Sequence, residues 1–214
     1  MNPSIIRECI QICADRYAQN ELGPASSIAT FLATWSTWEA LRTRFIRVAI
    51  HRQGWLIKDA DAALAKAQIS SMKQAAEILS LLGIRDPNHW PGSSGAVWRA
   101  LNKIEPIRHK LTHGFQTTEP EKVSVAIAIT LAALQDQHWI ETVPIPCRLK
   151  SEGFIKIGSI LEPRISRKKT HDRDVNELLQ ILGIKADRGQ TRNPSTRDLQ
   201  KILLSLSGHL KIDR

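Results

Sequence analysis

The sequence predicts a mainly α protein, a bundle of about five helices followed by a small basic C-terminal appendage of α or α+β type. Three observations carry that reading. Apolar residues recur at three- and four-residue steps through most of the first 140 positions, proline and glycine fall between those runs, and the pattern changes after Glu141. A chain of 214 residues with 42% apolar content can bury one sizeable core.

Each element has its own signal. Residues 4–19 bring Ile5, Ile6, Cys9, Ile12, Cys13 and Tyr17 near one stripe. Pro24 opens a longer helix with Ile28, Phe31, Leu32, Trp35, Trp38, Leu41, Phe45 and Val48 at helical steps, and Gly54 breaks it. Asp59 or Asp61 can cap a third helix over residues 62–82, which Gly83 ends. The Pro-, Gly- and Ser-rich stretch 85–95 reads as a loop. Ser93 or Ser94 then starts a fourth helix with Val97, Leu101, Ile104, Ile107 and Leu111 inward, and Pro106 should kink it. Thr118-Glu119-Pro120-Glu121 has the pattern of a capping box, and the nearly all-apolar run 123–139 should be a fifth helix deep in the bundle. Residues 142–161 alternate short β-branched runs with Pro and Gly, predicting one or two brief strands or extended segments. Residues 162–174 read as a basic linker or loop. Two short amphipathic helices follow over 173–183 and 195–207, joined by a segment too long for a tight helix-turn-helix. The expected division is residues 1–141 as the bundle and 142–214 as the basic module.

Composition narrows the function classes. There is no run of about eighteen uncharged apolar residues, so no membrane partner is expected. Arg7 and Glu8 interrupt the N-terminal apolar run, which therefore does not read as a secretory signal. Three cysteines fit free thiols in a reducing cytoplasm better than a disulfide framework. Residues 148–214 hold 15 Lys/Arg against 8 Asp/Glu, whereas residues 1–147 hold 15 against 13. A basic face of this kind attracts phosphate backbones without specifying sequence, although it also serves solubility. No Gly-rich phosphate loop, Gly-x-Ser-x-Gly elbow or paired-carboxylate signature is present.

Arg108-His109-Lys110-Leu111-Thr112-His113, followed by Gly114, is the segment best suited to chemistry. A guanidinium binds phosphate bidentately and stabilises developing negative charge. An imidazole gives or takes a proton near neutral pH. Gly114 predicts the helix end, which places His113 in the last turn where the helix dipole favours imidazolium. The structural alternative is a basic helix cap. His109 and His113 at i, i+4 also resemble a two-His metal site, but Lys110 stands where a metalloprotease carries its Glu, so neither metal nor cofactor is expected. Trp35 and Trp38 could stack bases, but at helical spacing among apolar neighbours they read as core. The series Arg42, Arg44, Arg47 and Arg52 reads as a solvated helix face that would line a nucleic-acid groove if its helix borders the site.

Arg108 and His113, with polar His109 after the arginine and with Ile107, Leu111 and Gly114-Phe115 flanking them, resemble the motif region of the HEPN superfamily of helical domains. A second similarity is Trp35 to Arg42 in an early long helix, where many members carry an acidic residue facing the site; Glu39 stands there. The resemblance spans residues 4–140 by helix order, and residues 145–214 resemble nothing recognisable. It implies an endoribonuclease that cleaves RNA without a metal, using the ribose 2′-hydroxyl as nucleophile. His113 is then the general acid/base, Arg108 the phosphate-holding residue, and His109 and Glu39 further catalytic candidates. Lys110, Arg42 and Arg47 are candidate substrate-binding residues. The family also implies a homodimer with a composite site and, by analogy, a toxin or defence effector with an antitoxin or regulatory partner. Five residues on a straight helix turn about 500°, leaving Arg108 and His113 roughly 140° apart. Either the helix ends between them, as Gly114 hints, or a second chain completes the site, and both are compatible with a dimer. The alternative is a non-catalytic nucleic-acid-binding or adaptor protein that uses its basic C-terminal module.

Overall fold

The computed structural model describes residues 3–19, 23–112, 118–136, 139, 173–185 and 193–208. Among these residues the fold is all-helical. The helices are α1 (Pro3–Ala18), α2 (Pro24–Arg52), α3 (Ile57–Lys66), α4 (Met72–Leu81), α5 (Gly92–Thr112), α6 (Pro120–Gln135), α7 (Val175–Leu182) and α8 (Thr196–Ser207), with one 3-10 turn at Pro87–His89. The expected strands at 142–161 and the boundary near 141–150 lie outside the described residues.

α2 and α6 form the centre of the bundle. α1 lies against both, α5 packs on α6 and α2, and α3 and α4 flank α2. The mean apolarity of α6 leaves it no strongly polar face, and Ala126, Ile129, Ala133 and Leu134 are fully buried. α2 is buried nearly all round in its C-terminal half. Its interior threonines are tolerated there because Thr34 and Thr37 donate back to the carbonyls of Thr30 and Ala33 at 2.7 and 2.9 Å. All six tryptophans are buried. Trp38, Trp90, Trp98 and Trp139 form one aromatic cluster with ring centroids 5.4–6.1 Å apart, a tilted and edge-on geometry that suits aromatic quadrupoles. Trp35 and Trp38 are thus core residues, with no face left for a base.

Several boundaries follow the sequence closely. Gly54 adopts φ 103° just beyond α2. Gly83 at φ 77° closes α4 through paired bonds, Ile84 N–H to Leu79 O and Gly83 N–H to Ser80 O, with buried Ile84 covering the turn. Pro106 sits inside α5 without ending it.

Other expectations need correction. The single helix expected over 62–82 is two helices, α3 and α4, separated by residues 67–71. Ser71 caps α4 by accepting from Gln74 N–H at 3.0 Å, and two side chains from elsewhere take the backbone groups freed in the break. Arg42 donates to Ile69 O at 2.9 Å, and the Glu105 carboxylate accepts from Met72 N–H at 2.7 Å. Tertiary partners thus offset the helical bonds lost there. The N-cap of α3 is Leu56, with Asp59 in the first turn rather than capping. No capping box forms at 118–121, because Glu119 is itself the N-cap of α6 and its carboxylate accepts from Thr196 Oγ1 at 2.7 Å. On α1 the inward stripe is Ile6, Ile10, Cys13 and Tyr17, and Ile5 and Ile12 stay exposed, since 6, 10, 13 and 17 keep a tighter helical step.

The two C-terminal helices each dock on the bundle. α7 packs against α3 and α4, and α8 against α6 and α5, and the two do not pack against each other. Leu178, Leu182, Leu199 and Leu206 join the same core as the first six helices. Trp55 helps hold α7, donating from Nε1 to Asp174 O at 3.1 Å while the Arg173 guanidinium stacks 3.7 Å over its ring.

Candidate functional site

Two helices carry the same short pattern, Glu39-x-x-Arg42 on α2 and Glu105-x-x-Arg108 on α5. Spaced three apart, each Glu/Arg pair lies on one helix face. The faces meet in antiparallel register, so that Glu39 lies opposite Arg108, and Arg42 shares an electrostatic environment with Glu105. Arg108 Nη2 lies 3.3 Å from Glu39 Oε1, with both side chains about a quarter exposed. Trp35 Nε1 donates to the same oxygen at 3.0 Å, which fixes the carboxylate from below. Arg108 Nη1 also donates to His109 Nδ1 at 3.4 Å. The structure therefore brings together Glu39, Arg108 and His109, three of the residues singled out from sequence.

The inner half of this quartet is buried. Arg42 is 1% exposed, and its Nε and Nη1 find no acceptor among the described residues. Burial lowers its pKa, and Glu39 and Glu105 oppose that shift. Glu105 is buried as well. Desolvation pushes its carboxyl above the usual range, partly offset by the bond from Met72 N–H and by Arg42. Sequence reasoning misses Glu105, although the repeated Glu-x-x-Arg pattern is a signal that points to it.

The arginine series on α2 is not the solvated face expected. Arg42 and Arg52 are buried, because α2 is enclosed on most sides in this region. Arg42 is consequently no surface ligand for substrate. Arg47 is half-buried and held bidentately by Asp61, with Nη2 to Oδ2 at 2.8 Å, and its hydrogen bonds draw the Asp61 carboxyl down. A substrate phosphate would have to displace that carboxylate to reach Arg47. Both side chains border an open groove of about 830 Å³ between α2 and α3, which ends at Glu39.

Lys110 is half-buried in the last turns of α5, beside Arg108 in sequence. Its helix ends at Thr112, whose hydroxyl donates back to Arg108 O at 2.9 Å. His113, Gly114 and Phe115 lie outside the described residues. Among the described residues no three His, Cys, Asp or Glu side chains gather as a metal-binding group, and no helix is long and apolar enough to cross a membrane. No family model, curated protein or solved structure matches the chain.

Proposed function

We propose that this chain is a metal-independent endoribonuclease whose reactive centre lies at the C-terminal end of α5. One observation carries the reading: residues 69 positions apart, Glu39 and Arg108, meet 3.3 Å apart at the half-exposed end of a helix that leads directly to His113. A guanidinium held by one carboxylate oxygen keeps other N–H donors for a phosphate. In the reaction His113 removes the proton of a ribose 2′-hydroxyl, and the 2′-oxygen bonds to phosphorus as the P–O5′ bond breaks. Arg108 stabilises the charge gathering on the non-bridging oxygens. A second copy of His113, brought by a homodimer, protonates the leaving 5′-oxygen. The products are a 2′,3′-cyclic phosphate and a 5′-hydroxyl. Glu39 orients Arg108, while His109 and Lys110 contact or position the phosphate. A toxin or defence role, with a neutralising partner, follows from the resemblance to HEPN proteins.

The test is cleavage of single-stranded RNA with chelator present. Arg108→Ala and His113→Ala should each lower the rate by at least about a hundredfold, the scale of a lost charge stabiliser or general acid/base. Helical content should stay as in wild type. Undiminished cleavage by both variants, or loss of wild-type activity on chelation, overturns the proposal. Under the second reading, a non-catalytic nucleic-acid-binding or adaptor protein that uses its basic C-terminal module, the ion pair with Glu39 gives Arg108 a structural role that needs no substrate.

A further inference from the structure

The N-termini of α6 and α8 converge on a groove between α5, α6 and α8, where Thr196 Oγ1 on the first turn of α8 donates to Glu119, the N-cap of α6, at 2.7 Å. The groove is open, about 980 Å³ in volume, and is lined by Lys103, Lys122, Arg197 and Lys201 together with Glu119 and Asp198. None of the four cations meets a carboxylate at ion-pair distance among the described residues. Both acids are occupied. Glu119 accepts from Thr196, and Asp198 accepts from the hydroxyl and backbone N–H of Ser195 in a capping box at 2.7 and 3.2 Å. Each acid also sits at a helix N-terminus, where a partial positive charge of roughly half a unit offsets it. Four cations with no ion-pair partner among the described residues therefore surround a trough whose two acids are already engaged.

We propose that this groove binds the phosphodiester backbone of single-stranded RNA. The volume exceeds what one nucleotide fills, and cations from three separate helices suit a ligand whose charges repeat along a chain. Lys103 and Lys122 come from the bundle and Arg197 and Lys201 from α8, so the site exists only when α8 is docked. The inference deepens the ribonuclease reading by placing a substrate-backbone track away from Arg108, and it rests on that reading only for the choice of RNA.

The experiment measures anisotropy of a labelled twelve-nucleotide single-stranded RNA with the full chain, from about 0.05 to 0.3 M salt. Each phosphate contact contributes about 0.7 to the slope of log affinity against log salt for a single strand, so Lys122→Gln with Lys201→Gln should lower the slope by about 1.4 and weaken binding on the order of tenfold at 0.1 M. An independent pair, Lys103→Gln with Arg197→Gln, should do the same, with the thermal midpoints of both pairs close to wild type. Unchanged slope and affinity in a folded pair overturn the groove, as does wild-type protein that binds an acidic peptide of equal charge as tightly as RNA. The two proposals fail separately. Charge-pair variants that lose slope while wild type shows no cleavage retain the groove and remove the ribonuclease. Cleavage that needs Arg108, with charge-pair variants binding like wild type, does the reverse.

Discussion

At the scale of single residues, burial decides more than charge type. His51 is buried near the end of α2, and its Nδ1–H donates to Trp55 O at 3.1 Å. Desolvation lowers its pKa from 6.5, with Arg47 adding to the shift and the Trp55 bond opposing it. The unfolded chain thus takes up a proton as pH falls past about 6.5 while the native protein does not. The stability contribution is full above that pH and is lost on acidification toward the lower native value. Thermal midpoints measured from pH 7.5 to 5.5 should fall for wild type and fall less for His51→Gln; an equal slope in the two would remove His51 as the cause. Histidine and arginine side chains were also where the sequence was hardest to read. Arg42, Arg47 and Arg52 are identical in type, yet one is an internal strut, one is clamped by Asp61 and one is enclosed by the bundle. Arg42 and Arg47 depend on partners 27 and 14 positions away, which periodicity on α2 cannot reveal.

Between elements, the Glu105 carboxylate links α5 to the start of α4, and Arg42 links α2 to the same break. Replacing Glu105 by Gln keeps an acceptor for Met72 N–H and trades the carboxylate's desolvation cost against its attraction to buried Arg42, so it should cost less than Glu105→Ala. Glu105→Ala orphans that N–H and should cost about 1–3 kcal/mol, read by denaturant unfolding. Equal effects of the two would show that charge rather than the hydrogen bond matters there. Helix positions on α2, α5 and α6 were legible because long apolar repeats dominate their energetics, and the turn at Gly83 was legible because a left-handed residue needs glycine. The split between α3 and α4 was not. Alanine-rich flanks favour a continuous helix locally, and Arg42 and Glu105, from other helices, join the Ser71 cap in making the interruption stable.

Across the whole molecule, the basic C-terminal stretch contributes to the bundle rather than standing apart from it over its described residues. Leu199 is fully buried under α8, and Leu178 under α7. Leu199→Ala should cost about 2–5 kcal/mol and leave one cooperative unfolding transition. A separate early transition confined to α8 would instead mark an independent appendage. The amphipathic pattern of residues 175–182 and 196–207 revealed the helices but not their separate seats, because a helix's apolar stripe does not say which neighbour covers it. Of the candidate site, Arg108, His109 and Glu39 were legible from motif and resemblance, whereas the antiparallel match of two Glu-x-x-Arg faces emerges only in three dimensions.

The entry to α5 leaves a mark of another kind. A Cβ at Gly95 would lie 1.9 Å from Trp90 O, and Gly92 holds φ +58°. Gly95 admits no side chain without moving the Trp90 backbone, Gly92 sits in the left-handed region that favours glycine, and Trp90 and Trp98 both sit in the aromatic cluster. Trp90-Pro91-Gly92-x-x-Gly95-x-x-Trp98 is thus a spelling imposed by geometry rather than by chemistry. Descendants of a common ancestor could change every charged residue of the α5 end and still retain it, which makes this stretch the signature by which kin of this chain would be recognised.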